Sequence, residues 1–265
     1  MTIVFAIANQ KGGVGKTTTS VNLAASLGLM NRRVLLIDLD PQGNATMGSG
    51  MEKKELPYSV YDVLIGKKSA EESLVKAEAA GYDVLGANSD LIGAEIELLD
   101  LNRREYRLKD ALLSFEGKYD FIVLDCPPAL GVLTLNGLVA SDSVIIPMQC
   151  EYYALEGLTA LLDTIDRISS SLNPKLKVEG LLRTMYDPRN SLSRDVSLHL
   201  IDHFGDAVYR TMVPKNVRLA EAPSYGVPVH FYDKYSRGSR AYLALAGEVL
   251  NRHPEAADKV EENGN

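Results

Sequence analysis

Residues 9–19 read Asn9-Gln10-Lys11-Gly12-Gly13-Val14-Gly15-Lys16-Thr17-Thr18-Thr19, and this stretch decides the fold of the chain. The apolar run before it, Ile3 to Ala8, predicts a buried strand, and Ser20 to Met30 after it predicts a helix. A glycine-rich turn between a strand and a helix is typical of a phosphate-binding loop. The stretch therefore predicts a P-loop fold of the α/β class, doubly wound around a mostly parallel sheet.

The glycines and the last lysine of this loop have separate roles in holding phosphates. Gly12, Gly13 and Gly15 lack a Cβ, so the backbone can turn successive N–H groups toward a polyanion at the positive end of the helix dipole. Lys16 is expected to lie against the β and γ phosphates, and the Thr17 hydroxyl is expected to ligate Mg²⁺. A flexible Gly/Lys turn is the alternative, but the predicted strand and helix on either side favour the phosphate site.

Carboxylates follow two further predicted strands. Asp38 and Asp40 lie at the end of one apolar run, before Pro41-Gln42, and Asp125 ends another, before Cys126-Pro127-Pro128. Open α/β sheets place their ligand at the carboxyl ends of the strands, so these acids are expected to meet the nucleotide. We expect Asp38 and Asp125 to act on the magnesium and Asp40 to orient the attacking water. For the first segment a solvated acidic turn remains the alternative.

Length and composition set the outer bounds. The chain has 265 residues, of which 46% are hydrophobic, and this suits one α/β domain, predicted over residues 1–253. The start lacks the pattern of a signal peptide and no apolar run reaches about 18 residues, so we expect a cytoplasmic protein. Cys126 and Cys150 lack the spacing of a disulfide scaffold or zinc site. Residues 254–265 are acidic and are predicted to form a disordered tail.

Charge is unevenly distributed along the chain. The formal net charge is −7, yet residues 183–240 hold nine Lys and Arg against six Asp and Glu. Screening confines the field of exposed charges to about 10 Å, so a local basic face can bind DNA on an acidic protein. The composition therefore permits DNA binding without establishing it.

The segments between these motifs carry weaker patterns. Residues 45–57 show little periodicity and are expected to form a surface segment beside the nucleotide. The spacing of apolar residues predicts a short helix from Ala70 to Lys76 and a strand from Tyr82 to Ala87.

The phosphate loop departs from the standard motif G-x-x-x-x-G-K-[ST]. That motif has glycine where Gln10 stands, and Lys11 adds a second lysine at the start of the loop. Together with the segments around Asp40 and Asp125, this deviant pattern resembles the ParA/MinD group of P-loop ATPases. From residue 1 to about residue 252, the chain is most similar to the small chromosome-partition ATPases of the ParA (Soj) family.

The resemblance implies ATP hydrolysis, with ATP and Mg²⁺ as cofactors. In the family the early lysine, here Lys11, crosses to the nucleotide of a partner subunit, and the hydrolytic aspartate matches Asp40. Residues 213–223 resemble the family's adenine-side loop, in which a proline flanks the base and an asparagine amide reads its polar edge. The predicted catalytic residues are Lys11, Lys16 and Asp40. The predicted nucleotide-binding residues are Lys11, Gly12, Gly13, Val14, Gly15, Lys16, Thr17, Thr18, Pro214 and Asn216. The predicted metal ligands are Thr17, Asp38 and Asp125.

Predicted DNA contacts come from the second half of the chain. Arg189 lies on a turn with no obvious partner in the sequence, and an arginine at the matching position of the family contacts DNA. Arg218 is the second candidate by resemblance. Lys234, Arg237 and Arg240 are the candidates for a basic rim, although a plain solvated helix start explains them equally well. The adjacent Tyr152 and Tyr153 resemble a family segment near the subunit interface, and core packing is an equal alternative.

The resemblance implies an ATP-dependent homodimer that binds double-stranded DNA without reading its bases. A centromere-binding partner of the ParB type would stimulate hydrolysis, and the cycle would segregate chromosomes or plasmids on the nucleoid, with no role for a membrane. The main alternative is a membrane-positioning ATPase of the MinD type, which the acidic tail disfavours because anionic lipid would repel it. A metallocluster ATPase resembling the nitrogenase iron protein would need two cysteines near the dimer axis. A DNA-binding module without enzymatic activity would leave the glycine-rich and acidic motifs without a role.

Overall fold

The apolar runs of the sequence form a single eight-stranded sheet in the computed structural model, which describes residues 2–151 and 154–257. The strands are β1 (Ile3–Ile7), β2 (Val34–Asp38), β3 (Leu74–Ala77), β4 (Tyr82–Leu85), β5 (Phe121–Asp125), β6 (Ser143–Gln149), β7 (Lys177–Tyr186) and β8 (Val208–Pro214). Their order in space is β3-β4-β2-β5-β1-β6-β7-β8, and only the β3–β4 pair is antiparallel. The doubly wound, mostly parallel sheet predicted from the sequence is confirmed.

Helices connect the strands and cover both faces of the sheet. They are α1 (Lys16–Leu29), α2 (Asn44–Gly48), α3 (Val60–Leu64), α4 (Leu91–Glu97), α5 (Arg107–Leu112), α6 (Val132–Ala140), α7 (Ala154–Ser171), α8 (Ser191–Phe204), α9 (Val217–Glu221), α10 (Val229–Tyr232), α11 (Arg237–Arg252) and α12 (Pro254–Ala257). Short 3-10 helices span Leu98–Asp100, Arg104–Tyr106, Leu113–Phe115, Gly205–Ala207 and Ala222–Tyr225. Within the described residues, no helix combines the length and the apolar character needed to span a bilayer.

The core consists of two apolar layers, one on each face of the sheet. One layer packs against α1 and α11, with Leu23 and Tyr242 buried there. The other packs against α6, α7 and α8, with Leu138 and Leu161 buried. Every residue of β1, β2 and β5 is buried. Because helices cover both faces, these central strands are continuously apolar rather than alternating.

The sheet brings the predicted motifs to one edge. In the strand register, Ile7 of β1 lies beside Asp125 of β5, and Asp38 of β2 lies on the other side of Asp125. The phosphate loop follows β1 directly, so it lies at the carboxyl ends of these three adjacent strands. Sheet pairing therefore assembles the loop and two acids that are far apart in the sequence.

Two segments differ from the sequence expectation. Residues 74–77 form β3, not the end of a helix from Ala70 to Lys76, because Leu74 and Val75 pair with β4 and this tertiary pairing overrides the local pattern. Residues 45–57 are not wholly at the surface, because they include part of α2, in which Ala45 and Thr46 are fully buried.

The predicted tail is only partly described. Residues 254–257 form α12, and Ala256 is buried, so the chain remains packed at the point where the disordered tail was expected to begin. Residues 258–265 lie outside the described residues, as do Tyr152 and Tyr153.

A buried ion pair attaches the end of α11 to the sheet. His253 Nε2 lies 3.0 Å from the Glu179 carboxylate, which also accepts a hydrogen bond from Ser143 Oγ at 2.9 Å. The hydrogen bond to Glu179 raises the pKa of His253 above its ordinary value. Burial disfavours the charged form of Glu179, but the hydrogen bonds from His253 and Ser143 outweigh this and lower its pKa. The pair therefore favours the charged form of both side chains.

The two pKa shifts predict a pH-dependent contribution to stability. The raised pKa of His253 stabilises the fold below its ordinary pKa of 6.5, and this contribution is lost as pH rises through the raised value. The lowered pKa of Glu179 stabilises above its ordinary value of 4.5 and is lost as pH falls. His253→Ala should lower the free energy of unfolding by about 1–3 kcal/mol, with the larger loss in urea titrations at pH 6 than at pH 8. His253→Gln should retain part of the stability without the pH dependence; equal losses at both pH values in His253→Ala would contradict this.

Candidate functional site

The phosphate loop has the backbone conformation that its glycines allow. Gly13 and Gly15 have φ angles of +74° and +88°, which disfavour any residue with a Cβ. Lys16 begins α1 and is 7% exposed, and its Nζ donates to the Lys11 carbonyl at 3.3 Å. Burial lowers the pKa of Lys16, and the nearby carboxylate of Asp125 partly offsets this effect. The loop thus presents a buried ammonium group and a helix N-terminus at one point, as the sequence predicts for a phosphate site.

Side chains from distant strands hold this loop in place. Thr184 Oγ1 donates to the Val14 carbonyl at 2.7 Å, and Gln149 Nε2 donates to the Gly13 carbonyl at 3.2 Å. The sequence analysis missed Thr184 as a functional residue. Its position near the carboxyl end of β7, on the ligand-binding edge, was the available signal.

Two of the three predicted magnesium ligands, Thr17 and Asp125, are in direct contact. Asp125 is fully buried, and its carboxylate accepts hydrogen bonds from Thr17 Oγ1 and Ser20 Oγ, both at 2.8 Å. Burial and the nearby charge of Asp38 raise the pKa of Asp125 to about 7. A hydroxyl and a carboxylate beside the phosphate loop are the hard oxygen donors that Mg²⁺ requires, and they would hold the ion close to the predicted phosphate site. Thr17 and Asp125 therefore fit the predicted cofactor, and Ser20 is a partner that the sequence analysis missed.

Asp38 is a buried anchor of the following loop. It is fully buried, its Oδ1 accepts from the Asp40 N–H at 3.1 Å, and its Oδ2 accepts from the N–H and Oγ1 of Thr46, both at 2.8 Å. Burial raises the pKa of Asp38 to about 6 against these hydrogen bonds. The contact that Asp38 makes is with its own loop; its role toward magnesium stays a prediction.

Asp40 is held by this anchor at the mouth of the site. Its main chain is bound to Asp38, and its half-exposed carboxylate accepts a hydrogen bond from the Gln42 N–H at 2.9 Å. The second oxygen of Asp40 has no hydrogen bond within the described residues, so it is available to a water molecule. The water-positioning role remains a prediction with this geometry behind it.

Lys11 is held by an acid of its own chain. Its Nζ lies 2.5 Å from Glu151 Oε2, and both side chains are partly exposed. The Lys11 N–H donates to Asn9 Oδ1 at 3.0 Å, and the side-chain amide of Asn9 donates to the Pro147 carbonyl. Lys11 therefore lies at the surface of the loop with a defined main chain.

A cavity of about 550 Å³ lies beside the loop, between the ends of β7 and β8. Its lining includes Gly15, Thr18, Met185, Asn216 and Val217. Asn216, for which a contact with the adenine remains a prediction, lines this cavity, but its Oδ1 caps α9 by accepting from the Arg218 and Leu219 N–H groups. Only its amide N–H groups are therefore left for a base. Pro214 is not part of the lining, and Met185, which the sequence analysis missed, supplies an apolar wall.

The predicted DNA contacts differ in their surroundings. Arg189 is 88% exposed but forms a bidentate pair with Asp187, at 2.9 and 2.8 Å, so the expectation that it has no partner was wrong. These hydrogen bonds lower the pKa of Asp187 to about 2. Arg218 pairs with Glu221 at 2.8 Å and with Asp233 at 3.4 Å.

The three remaining candidates are exposed cations. Lys234 lies over the Tyr235 ring, while Arg237 and Arg240 occupy the first turn of α11. None of the three forms an ion pair within the part of the chain that the structure describes. They are therefore more available to an anion than Arg189 or Arg218.

Known proteins resemble the chain over nearly its whole length. A family model described as an AAA domain matches residues 2–178. The chromosome partitioning protein ParA of Caulobacter vibrioides is 51% identical over 259 residues, covering 97% of each chain. The sporulation initiation inhibitor protein Soj of Bacillus subtilis is 52% identical over 246 residues, covering 93% of this chain and 97% of the relative.

A solved structure shares the fold at similar coverage. Cobyrinic acid a,c-diamide synthase from Mycobacterium smegmatis, with bound ADP and magnesium, superposes with a TM-score of 0.84 at 43% identity, covering 98% of both chains. The overall arrangement of strands and helices is therefore that of a solved nucleotide-binding protein.

The buried contact between Asp38 and Thr46 predicts that removing the Thr46 hydroxyl destabilises the protein. Thr46 Oγ1 also accepts from the Ala87 N–H at 2.9 Å, so Thr46→Val leaves this buried N–H without a partner and removes one of the two hydrogen bonds that Asp38 Oδ2 accepts. We expect a loss of about 1–3 kcal/mol in the free energy of unfolding, measured by urea denaturation, with slower ATP turnover because the loop of Asp40 loosens. Thr46→Ser keeps the hydroxyl and should preserve turnover. Equal turnover in the wild type and Thr46→Val would contradict the anchoring role.

Proposed function

The chain belongs to the ParA/Soj family of P-loop partitioning ATPases, and on that premise we propose that it is an ATP-driven switch whose paired form holds DNA. The observation that carries the proposal is Lys11, an additional lysine at the surface of an intact phosphate loop. A lysine buried in the loop serves its own nucleotide, whereas a lysine at the mouth is accessible to the nucleotide of a second subunit.

ATP would bind with its triphosphate in residues 11–18 and its base in the cavity beside Met185 and Asn216. The volume of about 550 Å³ and the apolar wall suit a purine ring. Thr17 would hold Mg²⁺, with Asp125 and Asp38 close by, and the ion would neutralise charge on the phosphate oxygens. Lys16 would contact the phosphates from inside the loop.

Hydrolysis would depend on Asp40. Its main chain is fixed by a fully buried carboxylate, while its own carboxylate is half-exposed at the ligand-binding edge. A carboxylate in this position accepts a hydrogen bond from water and directs the lone pair of that water toward the terminal phosphate. The enzyme would be an ATPase that produces ADP and phosphate.

ATP would draw two subunits into a face-to-face dimer. Each Lys11 would leave Glu151 of its own chain and face the triphosphate of the other subunit, where the negative charge is greater. Removal of the terminal phosphate reduces that charge, and the subunits would separate. Nucleotide state would thus set the oligomeric state.

The dimer would bind double-stranded DNA without base specificity. The candidate contacts are Arg189, Arg218, Lys234, Arg237 and Arg240. Two copies of a weak basic face on one rigid dimer neutralise several phosphates together, which multiplies affinity and makes it salt-dependent. A single subunit with net charge −7 would bind weakly.

The biological role would be segregation of a chromosome or plasmid on the nucleoid, together with a centromere-binding partner of the ParB type. The names of relatives at 47–51% identity, which are chromosome-partitioning proteins, support this role. They are closer in sequence than the diamide synthase at 43%. The MinD-type alternative is less favoured, because residues 255–265 hold four acids and one lysine and would be repelled by anionic lipid.

Blocking each step should trap a different oligomeric state. With saturating ATP and Mg²⁺, Asp40→Ala should accumulate as a dimer, with turnover reduced about 10²-fold or more, whereas Lys11→Ala should stay monomeric. Light scattering after size-exclusion chromatography, with ATP and with ADP, measures the state. A monomeric Asp40→Ala protein at saturating ATP would sink the proposed cycle.

The pair between Arg189 and Asp187 offers a matched test of the DNA surface. Arg189→Ala should dimerise normally but bind nonspecific duplex more weakly, with a shallower salt dependence because one phosphate contact per subunit is lost. Asp187→Asn frees Arg189 and removes a repelling charge, so it should bind more tightly. Fluorescence anisotropy over a range of KCl concentrations distinguishes them. Unchanged affinity in Arg189→Ala would move the DNA surface elsewhere.

A further inference from the structure

Helix α4 and the 3-10 turn that follows it, residues 91–100, are apolar on two opposite faces. Leu91, Ala94 and Leu98 point into the core and are fully buried. On the other side, Ile92, Ile96 and Leu99 recur at intervals of four and three residues and are 56%, 69% and 55% exposed. The inward face explains the stability of the helix. The outward stripe is mostly left uncovered by the rest of the subunit, and contiguous exposed apolar surface is typical of an interaction site.

The stripe lies in a wholly acidic segment. Residues 88–102 contain Asp90, Glu95, Glu97 and Asp100 but neither Lys nor Arg. None of the four acids forms an ion pair within residues 2–151 and 154–257. Glu97 accepts a hydrogen bond from the Tyr61 hydroxyl at 2.8 Å, and Asp90 accepts one from Asn88. Lys67, which donates to the same Tyr61 hydroxyl at 3.2 Å, is the cation that acts on Glu97 from a distance. The segment therefore keeps a net negative charge at the surface.

The negative charge around the stripe indicates which kind of partner can bind there. DNA and anionic lipid carry the same sign of charge and would be repelled. A second copy bound through the same surface would oppose acid to acid around a two-fold axis, which is unfavourable. A basic amphipathic segment matches both properties, because its apolar side chains cover the stripe while its Lys and Arg pair with the flanking acids.

Helix α4 also contacts the loop that follows Asp125. A Cβ added to Gly131, the residue before α6, would lie 2.7 Å from Glu95 Oε1, so this carboxylate rests against the backbone of the loop. Leu130 of the same loop is 45% exposed. On the other side, Ala87, a few residues before α4, donates its N–H to Thr46, which holds Asp38. The helix is therefore linked to the loops of both buried acids.

We propose that the outward face of α4 and of the 3-10 turn after it, formed by Ile92, Ile96 and Leu99 with Glu95 and Glu97, is the docking surface for a basic amphipathic segment of the partner that stimulates hydrolysis. This inference rests on the proposed function, since it places the partner on the same ATPase. A cation drawn to Glu95 would pull this carboxylate away from Gly131 and change the loop after Asp125. Docking would thereby change the rate of hydrolysis through this loop, without the partner entering the nucleotide site.

Two substitutions on this surface test the proposal in the full-length chain. Ile96→Ser removes the most exposed apolar side chain, and Glu97→Gln removes a flanking charge. Neither residue belongs to the nucleotide site, so basal turnover, ATP-dependent dimerisation and DNA binding should match the wild type. Leu198→Ser on α8, at 51% exposure, is the matched control. The probe is the ParB-type protein of the same organism, titrated with ATP, Mg²⁺ and nonspecific duplex present.

In Ile96→Ser and Glu97→Gln, the partner concentration for half-maximal stimulation should rise about tenfold, and Leu198→Ser should behave as wild type. Hydrogen exchange in the wild type should show protection of residues 88–102 when the partner is added. Equal stimulation of all four proteins would overturn the docking surface while leaving the proposed function intact. Loss of ATP-dependent dimerisation in the α4 variants would also overturn it and assign the stripe to a second copy. A wild type that the partner does not stimulate would instead remove the proposed function and this inference with it.

Discussion

Two carboxylates buried side by side at the ends of adjacent strands are the constraint on which the rest of the site depends. Asp38 and Asp125 are both fully buried, and the charge of each opposes ionisation of the other. Buried charge is costly unless hydrogen bonds compensate it. The hydroxyl groups of Thr17, Ser20 and Thr46 supply those bonds from the two flanking segments. The geometry of the nucleotide edge is therefore a consequence of satisfying these two acids.

The need to supply hydrogen bonds to Asp38 and Asp125 also ties the site to the surrounding helices and strands. Thr17 and Ser20 belong to the first turns of α1, so the helix that is predicted to receive the phosphates also stabilises Asp125. Thr46 reaches the Ala87 main chain, which joins the loop of Asp40 to the strand β4 and hence to α4. Hydrogen bonds thus connect Asp38 to the main chain at Ala87, four residues before α4 begins.

The sequence predicted the features that are encoded locally. The phosphate loop, the central strands and the positions of Asp38 and Asp125 follow from contiguous patterns. It did not predict β3, because that strand forms only by pairing with β4, nor Ser20 and Thr184, whose partners lie more than a hundred residues away. Arg189 was assigned no partner although Asp187 lies two residues before it, because the sequence indicates the turn but not the side-chain conformations that pair the two residues.

The contact between Lys11 and Glu151 has a consequence for nucleotide selectivity. The ammonium group already has a counter-ion in the single chain, so a second subunit gains its charge only by outcompeting a carboxylate. A triphosphate, with more negative charge than a diphosphate, is the stronger competitor. Pairing in the proposed dimer is then an exchange of one anion for another, and the net gain is a small difference between two similar energies. This free-energy difference changes strongly with the loss of one phosphate group. The surface contact between Lys11 and Glu151 would thereby allow the dimer to distinguish ATP from ADP.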